Sequence, residues 1–152
     1  MRVISSIEEA VGAVGQELGV SDWTGVDQQR IDAFADVTGD HQWIHVDPER
    51  ASSESPYGAT IAHGFLTLSL IPALSKHNYR VDNAKMGINY GLNRVRFLAP
   101  VPAGSRVRVR SEILAAAQVN DSTVDLTVRH TVELDGSAKP AAVAELIARM
   151  AF

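Results

Sequence analysis

Between Gly64 and Leu74 the chain reads Gly-Phe-Leu-Thr-Leu-Ser-Leu-Ile-Pro-Ala-Leu, with apolar residues on every side of a helical axis. Such a stretch is far shorter than the roughly 20 residues a membrane helix needs, and a helix with no polar face has no place on a surface. It is expected to be a buried helix, bent at Pro72. The residues that follow change period. Arg106 to Ile113 alternates apolar and polar residues strictly, and Thr123 to Leu134 does the same, with Val124, Leu126, Val128, Val132 and Leu134 on one side. Those are half-buried strands. Gly87 to Phe97, ahead of Pro100 and Pro102, and Ala141 to Met150 complete the set, with turns at Asn120-Asp121 and Asp135-Gly136. A sheet with one apolar side and a helix apolar all round cover each other if the sheet curls about the helix. The expected class is therefore α+β, an antiparallel meander of about four strands around a central buried helix.

The segment before that helix is also legible. Asp27 is a suitable N-cap for a helix over 27–37, in which Ile31, Phe34, Ala35 and Val37 fall near helical spacing, and Gly39 ends it. Asp47-Pro48-Glu49 marks another helix start, with a cap, a proline in the first turn and an early acidic residue. Asp40 to His45 is thus a connector pinned at both ends. It carries a carboxylate and an imidazole five positions apart, able to face one bound water. The same two residues also fit a capping aspartate and a backbone-bonded histidine. Residues 5–18 are compatible with a peripheral helix weakened by Gly12 and Gly15.

The chain has 152 residues and no sharp shift in composition, which favours one domain over 1–152. A net charge of −4 gives no general attraction to nucleic acid or to an anionic membrane surface. There are no cysteines, which removes disulfides, thiolate nucleophiles and cysteine-based zinc sites. The absence of cysteines fits a reducing cytoplasm, the expected location, and the N-terminus has no continuous apolar stretch of the kind a signal peptide carries. His41 and His45 lack a third ligand in a metal-binding pattern, and no metal site is expected. Ser69 and Ser111 lack the glycines of a nucleophile elbow, and His63, His77 and His130 are expected to be structural.

Three segments together carry a family resemblance. Thr38-Gly39-Asp40 with His45, Ala62-His63-Gly64 opening the apolar helix, and Tyr90-Gly91-Leu92-Asn93-Arg94-Val95-Arg96-Phe97 with Pro100-Val101 resemble the MaoC-like (R)-specific enoyl-CoA hydratases over residues 20–150. Single-domain actinobacterial members and NodN-like proteins look similar here. The family pattern Gly-Asp-x-Asn-Pro-x-His is matched at Gly39, Asp40 and His45, whereas Gln42 and Trp43 stand where the family has asparagine and proline. Gln42 must then do with a longer amide what the asparagine does for the catalytic water.

A sheet curled about its helix is a hot dog arrangement, whose edge makes a homodimer the expected unit, and the resemblance implies the reversible hydration of trans-2-enoyl-CoA to (3R)-hydroxyacyl-CoA in fatty acid metabolism. It implies Asp40 as the base toward water and His45 as its partner in proton delivery, sharing one water on one face of the alkene. It gives Gly64 the oxyanion role, where free amides at a helix start meet the thioester oxygen. Coenzyme A enters as part of the substrate, and no separate cofactor is implied. Its phosphates call for basic residues at the mouth of an apolar tunnel. Arg94, Arg96, Arg106 and Arg108 are the candidates, with Asn89 and Tyr90 as lining residues. Arg106, Arg108 and Arg110 also fit a plain solvated strand face. A hot dog thioesterase and a non-catalytic acyl-thioester binding module are the competing functions.

Overall fold

The computed structural model describes residues 1–152. In chain order the elements are β1 (Arg2–Ile4), α1 (Ile7–Gly12), β2 (Glu17–Val20), β3 (Thr24–Val26), α2 (Gln28–Thr38), α3 (Trp43–Val46), α4 (Pro48–Glu54), α5 (Gly64–Ser75), β4 (Tyr79–Val81), β5 (Met86–Phe97), β6 (Ser105–Asn120), β7 (Thr123–Leu134) and β8 (Ala142–Ala151).

Alternation decides which side of the sheet is buried. On β6 it sends Val107, Val109 and Ile113 inward, and on β7 it does so for Val124, Leu126, Val128 and Val132, all nearly or fully buried. Leu66, Ile71 and Leu74 of α5 pack on Val107, Val109, Val132, Ala142 and Ala144. Burial of each large aliphatic side chain contributes about 2 kcal/mol, so the contact between helix and sheet dominates the core. A second cluster joins Ile4, Ala10, Ala13 and Leu18 to Ile113, Val124, Leu126 and Val128, closing the other end of the sheet. An antiparallel sheet wrapped on a central helix in this way is the hot dog fold.

Several expectations need correcting. The helix placed over residues 5–18 stops at Gly12. Gly15 then turns the chain at φ +81°, and residues 17–20 form a strand on β6. The sheet has six strands in the order β2-β6-β7-β8-β5, with β3 also on β6. Only β6, β7 and β8 form the meander. β5 skips its neighbour β6 and pairs with β8 from Met86↔Ala151 to Phe97↔Ala142, which leaves its other edge open. β1 and β4 form a separate parallel pair that no periodicity announced.

The central helix is also not covered on all sides in a single chain. Phe65 is 69% exposed, and the edge strand beside it exposes Met86, Ile88, Tyr90 and Leu92. No helix is long and apolar enough to cross a membrane.

On the outer side of the sheet, Arg106 pairs with Asp135, Arg108 with Glu133, and Arg110 with both Glu133 and Glu17. Partnered arginines of this kind are the solvated face, worth little each in stability.

Candidate active site

The local rules of helix ending and starting build the site. Asp27 caps α2 by accepting the Arg30 amide at 2.8 Å, and Gly39 closes it in the left-handed region at φ +79°, where a residue without Cβ is unstrained. The chain then leaves the helix with Asp40 exposed. It turns once through α3, which carries His45, 7% exposed, and re-enters a helix at Pro48 under the Asp47 cap. The connector expected over residues 40–45 thus contains a helical turn from Trp43 onward. The Arg50 guanidinium lies 4.2 Å over the Trp43 ring, so α4 restrains the turn at the position where the family has a proline.

Neighbouring elements fix the His45 imidazole. Its Nδ1–H donates to the Ile61 carbonyl at 2.7 Å, and a carbonyl can only accept, so the other nitrogen, Nε2, presents a lone pair. Burial pushes this imidazole below its ordinary 6.5, more than the Ile61 bond raises it. His45 is therefore neutral at physiological pH. The carbonyl of His45 accepts the Gln28 amide at 2.7 Å, while the buried Thr60 hydroxyl donates to the Gln28 amide oxygen. Gln28 and Thr60 were not singled out in the sequence, yet they tie α3 to α2 and to the segment before α5.

His63, expected to be structural, joins the site. It is 2% exposed and stacks on His45 with ring centroids 3.9 Å apart and planes inclined by 24°. Its Nε2–H donates to the Asp40 backbone carbonyl at 3.0 Å. Ligand-type atoms of Asp40, His45 and His63 lie within 4.8 Å of one another, and this is the set that could hold a cation. The donor geometry fits one poorly. An ion must sit in the plane of each imidazole it binds, and two stacked rings direct their lone pairs along neighbouring, nearly parallel planes. The same spacing suits one water between Asp40 and His45, since hydrogen bonds of about 2.8 Å to each span up to roughly 5.6 Å.

Gly64 opens α5 beside this cluster. No side chain caps the helix, so the amides of its first turn point outward with the positive end of the helix dipole behind them. Gly64 also lines a cavity of about 340 Å3 with Tyr57, Ile61, Thr67, Phe97 and Val101. A Cβ placed on Gly64 would stand 3.0 Å from the Phe97 ring, so both close packing and open access call for glycine here. Asp40 and His45 do not line that cavity themselves. They adjoin it through Ile61, whose carbonyl holds His45, and through His63, the residue next to Gly64.

The remaining candidates lie elsewhere on the chain. Gln42 is exposed and only its backbone N–H reaches the Asp40 carboxylate, at 3.4 Å, with its side chain at the surface beside Asp40. Asn89 lines a different cavity, with Pro72, Tyr79 and Met150 near the far end of α5. The Arg149 guanidinium sits 3.8 Å over the ring of Tyr90 and is itself paired with Asp125 on the outer face. Arg94 and Arg96 alternate with Val95, which packs on the core, and so face away from it. They line a third cavity that shares Leu98 with the one at Gly64. Neither arginine has an acidic partner, unlike Arg106 and Arg108.

The family signature of the MaoC-like domain matches residues 9–134. The chain belongs to the MaoC-like dehydratase family. It is 54% identical over 149 residues to 3-hydroxyacyl-thioester dehydratase Z of Mycobacterium tuberculosis, covering 98% of each chain. It is 48% identical over 149 residues to nodulation protein N of Rhizobium leguminosarum, covering 97% of this chain and 92% of the other. Among solved structures, R-hydratase PhaJ1 from Pseudomonas aeruginosa superposes with a TM-score of 0.69 at 25% identity, over 91% of this chain and 81% of that one. This MaoC-like chain is an enzyme of the hydro-lyase kind.

Proposed function

We propose that this enzyme adds water reversibly across the double bond of trans-2-enoyl thioesters, forming (3R)-3-hydroxyacyl thioesters. The observation that carries the reading is the pairing of an exposed Asp40 carboxylate with a neutral, backbone-anchored His45, a carboxylate oxygen and a ring nitrogen lying within 4.8 Å of each other. Both groups are acceptors at rest, so one water donates a hydrogen to each. The water oxygen bonds to C3 as its proton passes to Asp40, and the same proton then bonds to C2 as the enolate collapses. Both residues return unchanged, and the hydrogen and hydroxyl arrive on one face of the alkene. The uncapped amides at Gly64 stabilise the thioester oxygen while it carries negative charge, a contribution of about 3 kcal/mol for one such donor.

Arg94 and Arg96, neither of them paired with a carboxylate, offer cations to the phosphates of coenzyme A or of a phosphopantetheine carrier. The exposed apolar edge at Ile88, Tyr90 and Leu92, beside exposed Phe65, is suited to a second copy of the chain. Such a homodimer brings the Asn89 and Tyr90 surface of one protomer to an interface rather than leaving it in water.

Crotonyl-CoA tests the reading directly. Loss of the conjugated enoyl absorbance without free thiol, and a 3R product, is expected. Thiol release would instead establish a thioesterase, and tight binding with no turnover would reduce the chain to an acyl-thioester binding module.

A further inference from the structure

The side chain in contact with both members of the dyad is His63. Its ring lies against the His45 ring at 3.9 Å, its Nε2–H holds the Asp40 backbone carbonyl at 3.0 Å, and its own backbone leads directly into Gly64. Phe34 of α2 packs 5.0 Å away, so the imidazole is wedged between the helix that ends at Gly39 and the turn that carries His45. The remaining nitrogen, Nδ1, is buried with no hydrogen-bond partner. A buried unpartnered acceptor is costly, and an apolar side chain would fill the same space without that cost. Packing alone therefore gives a poor account of a histidine here.

We infer that His63 is a positioning residue for the hydration dyad: it sets the plane of the His45 imidazole by stacking and the place of Asp40 by a hydrogen bond. The inference rests on the hydration reading above. The two rings hold opposite tautomers, Nδ1–H on His45 toward Ile61 and Nε2–H on His63 toward Asp40. Each is fixed by a carbonyl that can only accept, so neither ring can flip without losing a bond. The arrangement keeps the lone pair of His45 Nε2 available for the water. His63 touches no reacting atom. It acts through the two residues that do.

Three substitutions separate its contacts. His63→Phe keeps a flat ring against His45 but loses the donor to Asp40. His63→Gln places an amide donor near the position of Nε2 but loses the stacked ring. His63→Ala loses both. With crotonyl-CoA, His63→Ala is expected to lower kcat by roughly 10- to 100-fold while KM stays within about threefold, because misplacement of reacting groups by about 1 Å costs on that order. Phe and Gln should each recover part of the loss. In an Asp40→Asn background, where the dyad is already disabled, His63→Ala should add less than about threefold, since residues acting as a unit are not additive.

A kcat for His63→Ala within twofold of wild type would overturn the inference. So would a loss of equal size in both backgrounds accompanied by a lowered Tm, which marks a folding effect. The tautomer of His45 gives a readout independent of turnover. Nitrogen-15 spectra of the histidines should show His45 as one Nδ1–H tautomer in the wild type and as a mixture in folded His63→Gln, and unchanged spectra count against the inference. If the wild type fails to hydrate any enoyl thioester, the functional reading falls while the spectra still decide whether His63 orients His45.

Discussion

At the scale of single residues, the proposed site is two acceptors, Asp40 and His45, and the groups proposed to aim them. Asp40→Asn removes the proton acceptor, and His45→Gln removes the lone pair held toward the water. Each is expected to lower kcat for enoyl thioester hydration by about 10^3-fold with an unchanged far-UV spectrum and Tm, since general acid–base groups typically contribute 10^2- to 10^4-fold. Near-normal turnover in both variants would remove the dyad from the chemistry. The pH dependence follows from burial. Burial holds the His45 imidazole below 6.5, so the neutral form persists as pH falls through that value and is lost only further down. The acid limb of kcat/KM is expected to have its midpoint below 6.5, and a midpoint above it would contradict the buried, neutral histidine. Asp40 and His45 were legible because Gly39 and Pro48 bracket them with helix-ending and helix-starting chemistry. His63 was not, because a histidine beside a glycine carries no local sign of what its ring will stack on. Gln28 and Thr60 were missed for the same reason: their bonds join segments distant in sequence.

At the scale of elements, the strongest signals in the sequence were periods, and the elements found by period came out well. β7 spans Thr123–Leu134 as its alternation indicates, and α5 starts at Gly64. Short strands such as β2 and β3 hold too few residues to show a period, and their existence depends on an edge of β6 that only the folded sheet supplies. The N-terminus of α5 makes its own prediction. Gly64→Ala sets a methyl 3.0 Å from Phe97, which is 48% exposed and free to shift. The variant should fold, yet lose about tenfold or more in kcat/KM as the methyl crowds the amides facing the thioester.

Inside β7, His130 is fully buried, with Nδ1 bonded to the Ser111 hydroxyl at 3.0 Å and Ser111 bonded in turn by Asn78. Burial pushes its pKa down to about 4, against 6.5 when exposed. The unfolded chain therefore binds a proton that the native chain refuses between those values. Stability is full above about 6.5, falls as the pH drops from there toward 4, and levels off below, a loss of about 3 kcal/mol from this group. Urea unfolding at a series of pH values checks the slope, which should be shallower in His130→Leu.

At the scale of the whole molecule, the expectation of a helix buried on all sides and the observation of an exposed Phe65 point in one direction. A run without a polar face reports its final surroundings, whereas one chain supplies only part of them. The protein should sediment at about twice its 16.4 kDa chain mass, and Ile88→Lys with Leu92→Lys on the open edge of β5 should shift it toward the single-chain mass. A wild type that sediments as a monomer at micromolar concentration would end the proposal of a dimer. The register of the sheet was beyond local patterns altogether, since β5 and β8 are brought together across the whole of β6 and β7. That pairing also bears on how the chain is made. β8 follows β5, β6 and β7 in the chain yet lies inside the sheet, flanked by β7 and β5, so until residues 142–151 are out of the ribosome β5 lacks its partner in the sheet and the cover of α5 is incomplete. Synthesis therefore includes an interval in which the apolar edge of β5 and the apolar helix α5 are both incompletely covered, and slowing translation is expected to lower the soluble yield more than slowing the growth of the cells does.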